Sequence, residues 1–190
     1  MTNIAILASG NGTNAQRIAE YFANHPSICV KIILSNNKDA YVLIRAQNLG
    51  IAHQVFSRKT LYETNIILAL LEKHDISFIV LAGFMWLIPK TLLDAYRGRI
   101  INIHPALLPK FGGKGMYGEH VHEAVIKAGE RESGISIHYV NEKYDEGDVI
   151  FQARCPVLPD DTAASLAARI HELEYEYYPK VIENIVTSVI

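Results

Sequence analysis

Short apolar runs recur along this chain, each followed by a turn and then by apolar residues at helical spacing. That alternation restricts the fold more than any other feature. Ile4 to Ala8 is a continuous apolar run, as expected of a strand buried on both faces. Behind a glycine-rich turn, Ala15, Ile18, Ala19, Tyr21 and Phe22 recur at helical spacing. Ile28 to Leu34 is a second β-branched run, ended by Ser35-Asn36-Asn37, and Tyr41 to Leu49 reads as a helix stopped by Gly50. A short strand over Ala52 to Phe56 precedes a helix predicted from Thr60 to Lys73. Phe78 to Ala82 is another buried strand, Pro89 opens a helix at its first turn, and Ile100 to His104 is the next strand. This pattern predicts an α/β fold with a Rossmann-like, mainly parallel sheet and helices on both faces.

The second half changes character. Lys110 to Gly118 is a glycine-rich loop, followed by a helix near His120 to Ala128. Gly134 to Val140 and Asp148 to Leu158 read as strands with no full helix between them, so an antiparallel C-terminal strand region is expected. A final helix from about Asp161 carries Leu166, Ile170, Leu173 and Tyr177, with a kink expected at Pro179. A chain of 190 residues without a linker or repeat reads as one domain over 1–190.

Bulk properties exclude several classes. A net charge of −2 gives no electrostatic case for nucleic acid or an anionic membrane. Cys29 and Cys155 sit in apolar stretches and read as buried small hydrophobes of a reducing compartment. Met1-Thr2-Asn3 lacks the basic region of a secretory leader, and Ile4 to Ala8 is too short to span a membrane, so a cytoplasmic location is expected. His120 and His122 lie beside Glu119, but residues two apart do not share a helix face and no Cys/His set completes a site. No metal is expected.

Two segments carry candidate chemistry. In Ile101-Asn102-Ile103-His104-Pro105, strand alternation puts Asn102 and His104 on one face at a strand end, where open α/β sheets bind ligands. An amide donor beside a group that titrates near neutrality can polarise a carbonyl and move a proton. The same two residues also serve simply to cap neighbouring backbone in many strand ends. Between the first strand and first helix, Ser9-Gly10-Asn11-Gly12-Thr13-Asn14-Ala15 offers free N–H groups at a helix start, which favour a phosphate. It also reads as a tight ligand-free turn. A dinucleotide is disfavoured, because Ser35-Asn36-Asn37 stands where an acidic ribose ligand belongs.

Four segments in order, Ser9 to Asn14, Leu81-Ala82-Gly83-Phe84-Met85, Asn102-Ile103-His104 and Tyr144-Asp145-Glu146-Gly147, resemble the folate-dependent phosphoribosylglycinamide formyltransferase family. The likeness extends to Glu174 and Tyr178-Pro179. The resemblance implies the formyltransferase fold, with a phosphate- and nucleotide-binding half over about 1–100 and a catalytic, folate-binding half over about 101–190. It implies transfer of a formyl group from 10-formyltetrahydrofolate, as co-substrate, to the amine of glycinamide ribonucleotide, in a monomer or homodimer. Asn102, His104 and Asp145 would be catalytic, with Asn102 and His104 stabilising the oxyanion and Asp145 assisting proton transfer. Gly12, Thr13 and Asn14 would hold the phosphate, Glu174 the ribose, and Gly83 would also line the ribonucleotide site. Phe84, Met85, Ile88, Val140, Asn141 and Tyr144 would form the folate site.

Some positions depart from the family pattern. Trp86 stands where many relatives carry Arg, so a charge contact to the folate tail is not available from that position. Arg58 or Lys59 is the alternative. Gly112 to Gly118 is richer in glycine than in well-known bacterial members, and Lys114 within it reads as solvated. His138 alternates with Ile137 and Tyr139 and reads as structural. Methionyl-tRNA formyltransferase and formyltetrahydrofolate hydrolase share the core but carry a further C-terminal or N-terminal domain, and the length of this chain favours neither. A noncatalytic folate- or nucleotide-binding module is the remaining alternative.

Overall fold

The computed structural model describes residues 1–188. In chain order its elements are β1 (Thr2–Leu7), α1 (Thr13–Phe22), β2 (Ile28–Ser35), α2 (Tyr41–Asn48) and β3 (Ala52–Val55). They continue with α3 (Arg58–Glu63), α4 (Ile66–Lys73), β4 (Ile76–Leu81), α5 (Lys90–Ala95) and β5 (Ile100–His104). The last are α6 (Glu119–Lys127), β6 (Glu132–Tyr139), β7 (Val149–Pro156) and α7 (Ala163–Ser188).

The strands form one sheet in the order β3-β2-β1-β4-β5-β6-β7. β1 pairs in parallel with both β2 and β4, and β4 with β5, whereas β5–β6 and β6–β7 are antiparallel. The chain first winds outward through β2 and β3, then returns to place β4 on the other side of β1. Beyond the carboxyl ends of β1 and β4 the connections diverge, and this opens a crevice.

Ile4 to Ala8 are wholly buried, and their alternation explains why. Ile4 and Ile6 join one core with Ile18, Phe22, Val125, Leu166, Ile170 and Ile182, beneath α1, α6 and α7. Ala5 and Leu7 join the opposite core with Leu61, Leu71, Leu92 and Tyr96, beneath α3, α4 and α5. The continuous apolar run at the end of β1 therefore serves two layers of helices.

The predicted single helix over Thr60 to Lys73 is divided. Thr64 is extended (φ −139°, ψ 166°), and its Oγ1 donates to the Thr60 carbonyl at 2.8 Å while accepting the Ile66 N–H at 3.3 Å. A hydroxyl that serves the backbone on both sides competes with the helical ladder, so the break falls there. The first piece also starts earlier than expected, because Ser57 Oγ caps the Thr60 N–H at 3.1 Å. Pro179 lies inside α7, which continues as one helix to Ser188.

α7 is anchored one turn beyond Glu174. The wholly buried Tyr178 hydroxyl donates to the Leu81 carbonyl at 2.8 Å, tying the helix to the end of β4. No helix among the described residues is long and apolar enough to cross a membrane.

Candidate active site

A cavity of about 860 Å³ opens over the ends of β1, β4 and β5. That volume accommodates a ligand of drug size. One wall is the loop after β1. Gly12 adopts φ 77° at the start of α1, and a Cβ there would stand 2.3 Å from Val42 Cγ2, so glycine is required by both conformation and space. Ser9 ties this loop to the one after β4: its N–H donates to the Gly83 carbonyl at 3.0 Å, and its Oγ accepts the Met85 N–H at 3.0 Å.

Asn102 and His104 project from the last parallel strand, as alternation requires. Because β6 runs antiparallel beside β5, Asn102 faces His138 and His104 faces Ser136. The His138 Nδ1 lies 2.8 Å from the Tyr139 carbonyl, which only accepts, so Nδ1 carries the proton and Nε2 is an acceptor. Asn102 Nδ2 donates to that Nε2 at 3.2 Å and points at Asp145 Oδ1 at 3.5 Å. A flipped amide would set its oxygen against both acceptors, so the network fixes the orientation.

The β6–β7 connection delivers Asp145. A Cβ on Gly147 would lie 1.7 Å from the Tyr139 carbonyl oxygen, so only glycine lets this turn close onto β6. Asp145 itself is left-handed, with φ 56°, a region that Asp tolerates better than most residues. Its Oδ2 accepts the Gly113 N–H at 3.0 Å and lies 3.5 Å from His104 Nδ1, while Oδ1 lies 3.6 Å from His138 Nε2. Burial works against the carboxylate, but His138 and His104, each acting when its ring carries a second proton, together with the Gly113 N–H hold its pKa below the ordinary value.

His104 is 3% exposed, and its Nε2 donates to the Phe111 carbonyl at 2.7 Å. Desolvation lowers its pKa despite the opposing pull of Asp145 and of the Phe111 carbonyl. In the neutral ring the Nδ1 lone pair therefore faces a carboxylate. A proton gained at Nδ1 would turn this unfavourable approach into an ion pair.

At the other end, Glu174 is 6% exposed and accepts from Asn14 Nδ2 at 2.8 Å. Burial raises its pKa to about 7, and the Asn14 contact only partly offsets this. Gly12, Thr13, Asn14, Gly83 and Glu174 all line the cavity. So do Phe84, Met85, Ile88, Val140 and Tyr144, which give one wall an apolar character suited to a flat heterocycle. Asn141 does not line it. Its Oδ1 accepts the Lys143 N–H at 2.9 Å, so the side chain is spent on its own turn.

Trp86 is half-buried and packs edge-on to Phe56 and Phe84. Arg58 stacks over Trp86 and Tyr62, at 5.6 and 5.0 Å from the ring centroids, while Lys59 is exposed like Arg58 and, among the described residues, has no such stacking. The structure also brings three further histidines to the cavity. His138, read from its alternation as structural, contacts Asn102 across the strands, a partner that alternation does not display. His122 and His171 line the cavity near Glu174. The position of His171 one turn before Glu174 on the same helix was the available signal.

Residues 2–182 match the Formyl transferase family. Over 190 aligned residues the chain is 39% identical to the phosphoribosylglycinamide formyltransferase of Haemophilus influenzae, covering 96% of this chain and 86% of that one. The crystal structure of phosphoribosylglycinamide formyltransferase from Streptococcus pneumoniae superposes with a TM-score of 0.86 at 43% identity, covering 98% of this chain and 99% of that one. The corresponding Bacillus halodurans structure gives a TM-score of 0.88 at 34% identity, covering 100% and 97%. On this sequence match, and on the shared fold, the chain belongs to the formyl transferase family, among the phosphoribosylglycinamide formyltransferases.

Proposed function

We propose that this chain transfers the formyl group of 10-formyltetrahydrofolate to the amine of glycinamide ribonucleotide, a step of purine biosynthesis. The observation that carries the reading is the meeting of Asn102, His104 and Asp145 between an apolar wall and a glycine loop, within one cavity. The loop N–H groups at the start of α1 suit a phosphate, and Glu174 suits ribose hydroxyls. The wall of Phe84, Met85, Ile88, Val140 and Tyr144 suits a pterin. Of Arg58 and Lys59, Arg58, stacked on two aromatic rings, is the better-ordered cation for the anionic folate tail.

The substrate amine forms a C–N bond to the formyl carbon, and negative charge develops on the formyl oxygen. One Asn102 N–H is committed to His138. The other is only weakly engaged, at 3.5 Å from Asp145, and is the donor free to meet that oxygen. The new ammonium must lose a proton, and the departing folate nitrogen must gain one as its bond to carbon breaks. His104 holds the proton in transit at Nδ1, where Asp145 Oδ2 stabilises the imidazolium, while Nε2 stays fixed on Phe111.

Formyl transfer measured with and without glycinamide ribonucleotide tests the reading. Folate product released only when the ribonucleotide is present supports it. Release without the acceptor identifies a hydrolase, and tight binding of both compounds without turnover identifies a binding module. His104→Ala is expected to fold normally and lose about 10²–10⁴-fold in turnover. Retention of full activity would sink the catalytic assignment.

A further inference from the structure

α1 begins without a side-chain cap and without an acidic residue in its first turn. Its N–H groups are therefore left to the cavity, but the loop that aims them has little rigidity of its own. Gly10 has open space around its missing side chain, and Asn11 is exposed. α2 supplies the rigidity. The Val42 N–H donates to the Gly10 carbonyl at 3.1 Å, and the Val42 side chain fills the space beneath Gly12.

One residue of α2 spends its entire fork on this loop. Arg45 Nε donates to the Asn11 carbonyl at 2.8 Å, and Nη2 donates to Asn11 Oδ1 at 2.6 Å. Nη1 donates to Gln16 Oε1, in the first turn of α1. The Tyr41 ring lies under the guanidinium, 4.8 Å from its carbon to the ring centroid. Asn11 precedes Gly12, and Gln16 donates its N–H to the Gly12 carbonyl at 2.9 Å. Arg45 thus grips the turn on both sides of its pivot. Among the described residues it forms no salt bridge, so its charge also remains available behind the loop.

We propose that Arg45 is a positioning residue for the ribonucleotide phosphate, holding the Gly10–Asn14 loop in the shape that converges its N–H groups on the anion. Arg45 does not line the cavity, so it acts on the phosphate only through the loop. A planar fork delivering charge-assisted bonds to a backbone carbonyl, a side-chain carbonyl and a second residue has no equivalent in lysine. The proposal rests on the reading of this loop as the phosphate site.

Arg45→Lys and Arg45→Met should raise the KM for glycinamide ribonucleotide, and the inhibition constant of inorganic phosphate, together by about tenfold. Turnover at saturation and the KM for 10-formyltetrahydrofolate should stay within about twofold, with the melting temperature followed alongside. A merely structural role would lower the melting temperature or affect both substrates alike, and either pattern overturns the proposal. Full recovery of phosphate affinity in Arg45→Lys also overturns it, because charge without the fork would then suffice. Gly12→Ala, which distorts the loop backbone itself, is measured in parallel. If that variant leaves both ribonucleotide KM and phosphate inhibition unchanged, the phosphate-loop reading itself fails. If Gly12→Ala weakens both and the Arg45 variants weaken neither, the loop reading stands and the clamp falls.

Discussion

Glu174 holds its proton to about pH 7 because it is enclosed between α1 and α7 with a single amide donor for company. A carboxyl whose native pKa exceeds its unfolded value of 4.5 stabilises the fold fully below pH 4.5 and ceases to do so as pH rises through 7. Glu174→Gln should therefore resist urea better than the parent at pH 8, by about 2 kcal/mol, with the advantage vanishing near pH 4. The same variant should bind the ribonucleotide more weakly, since an amide presents only one acceptor oxygen to the ribose. At Gly12 the expected outcome is opposite in sign. Gly12→Ala forces a Cβ into Val42 in a left-handed conformation, and should cost about 2 kcal/mol in denaturant titration while weakening phosphate inhibition.

Element by element, much of the architecture was legible because burial on both faces writes itself as continuous apolar runs. Ile100 to His104 is a strand with the expected bounds, and the antiparallel pairing of Gly134 to Val140 with Asp148 to Leu158 follows from the missing helix between them. The division of Thr60 to Lys73 was not legible. Leu61, Ile67 and Leu71 face the same core from both pieces, so the apolar pattern runs through a break made by one Thr64 hydroxyl. The site was legible at Asn102 and His104 through alternation, whereas Asp145 and Glu174 came only through family likeness. Nothing local marks an acid in a turn or on a helix as converging on a cavity. The contact of His138 with Asn102 was not legible, because that partner lies 36 residues away, in a register that sequence does not display. α7 offers a test at this scale. Tyr178→Phe leaves the buried Leu81 carbonyl without its donor, and should cost about 1–3 kcal/mol in urea unfolding while shifting Glu174 enough to raise the ribonucleotide KM.

Across the whole molecule, the cavity gathers groups whose protonation the fold resists. Burial lowers the pKa of His104 and His171, and lowers that of His122 to about 4, with the charges of His171 and His104 adding to the effect. An unfolded chain binds protons at these rings below pH 6.5, and the native chain refuses them, so stability falls as pH falls from 6.5 toward 4. Glu174 acts in the opposite direction over part of that range, and the three histidines outnumber it. Unfolding free energy plotted against pH should decline on the acid side, and His122→Gln should make that decline shallower, by about 2 kcal/mol between pH 6.5 and 4. An unchanged acid slope would show that His122 takes its proton in the native state.

β5 is the seam of the sheet, parallel to β4 on one side and antiparallel to β6 on the other. Asn102 and His104 are fixed in that seam, while Asp145 hangs from the turn between β6 and β7, outside the ladder. The two halves of the proposed proton relay are thus mounted on separately editable pieces of chain. An insertion in residues 140–148 would carry Asp145 away from His104 and disturb Val140 and Tyr144, while leaving the phosphate loop, Glu174 and the Phe84, Met85 and Ile88 part of the wall in place. On the proposed reading, loss of catalysis in such a scaffold begins at the hairpin, and it leaves behind the ribonucleotide site.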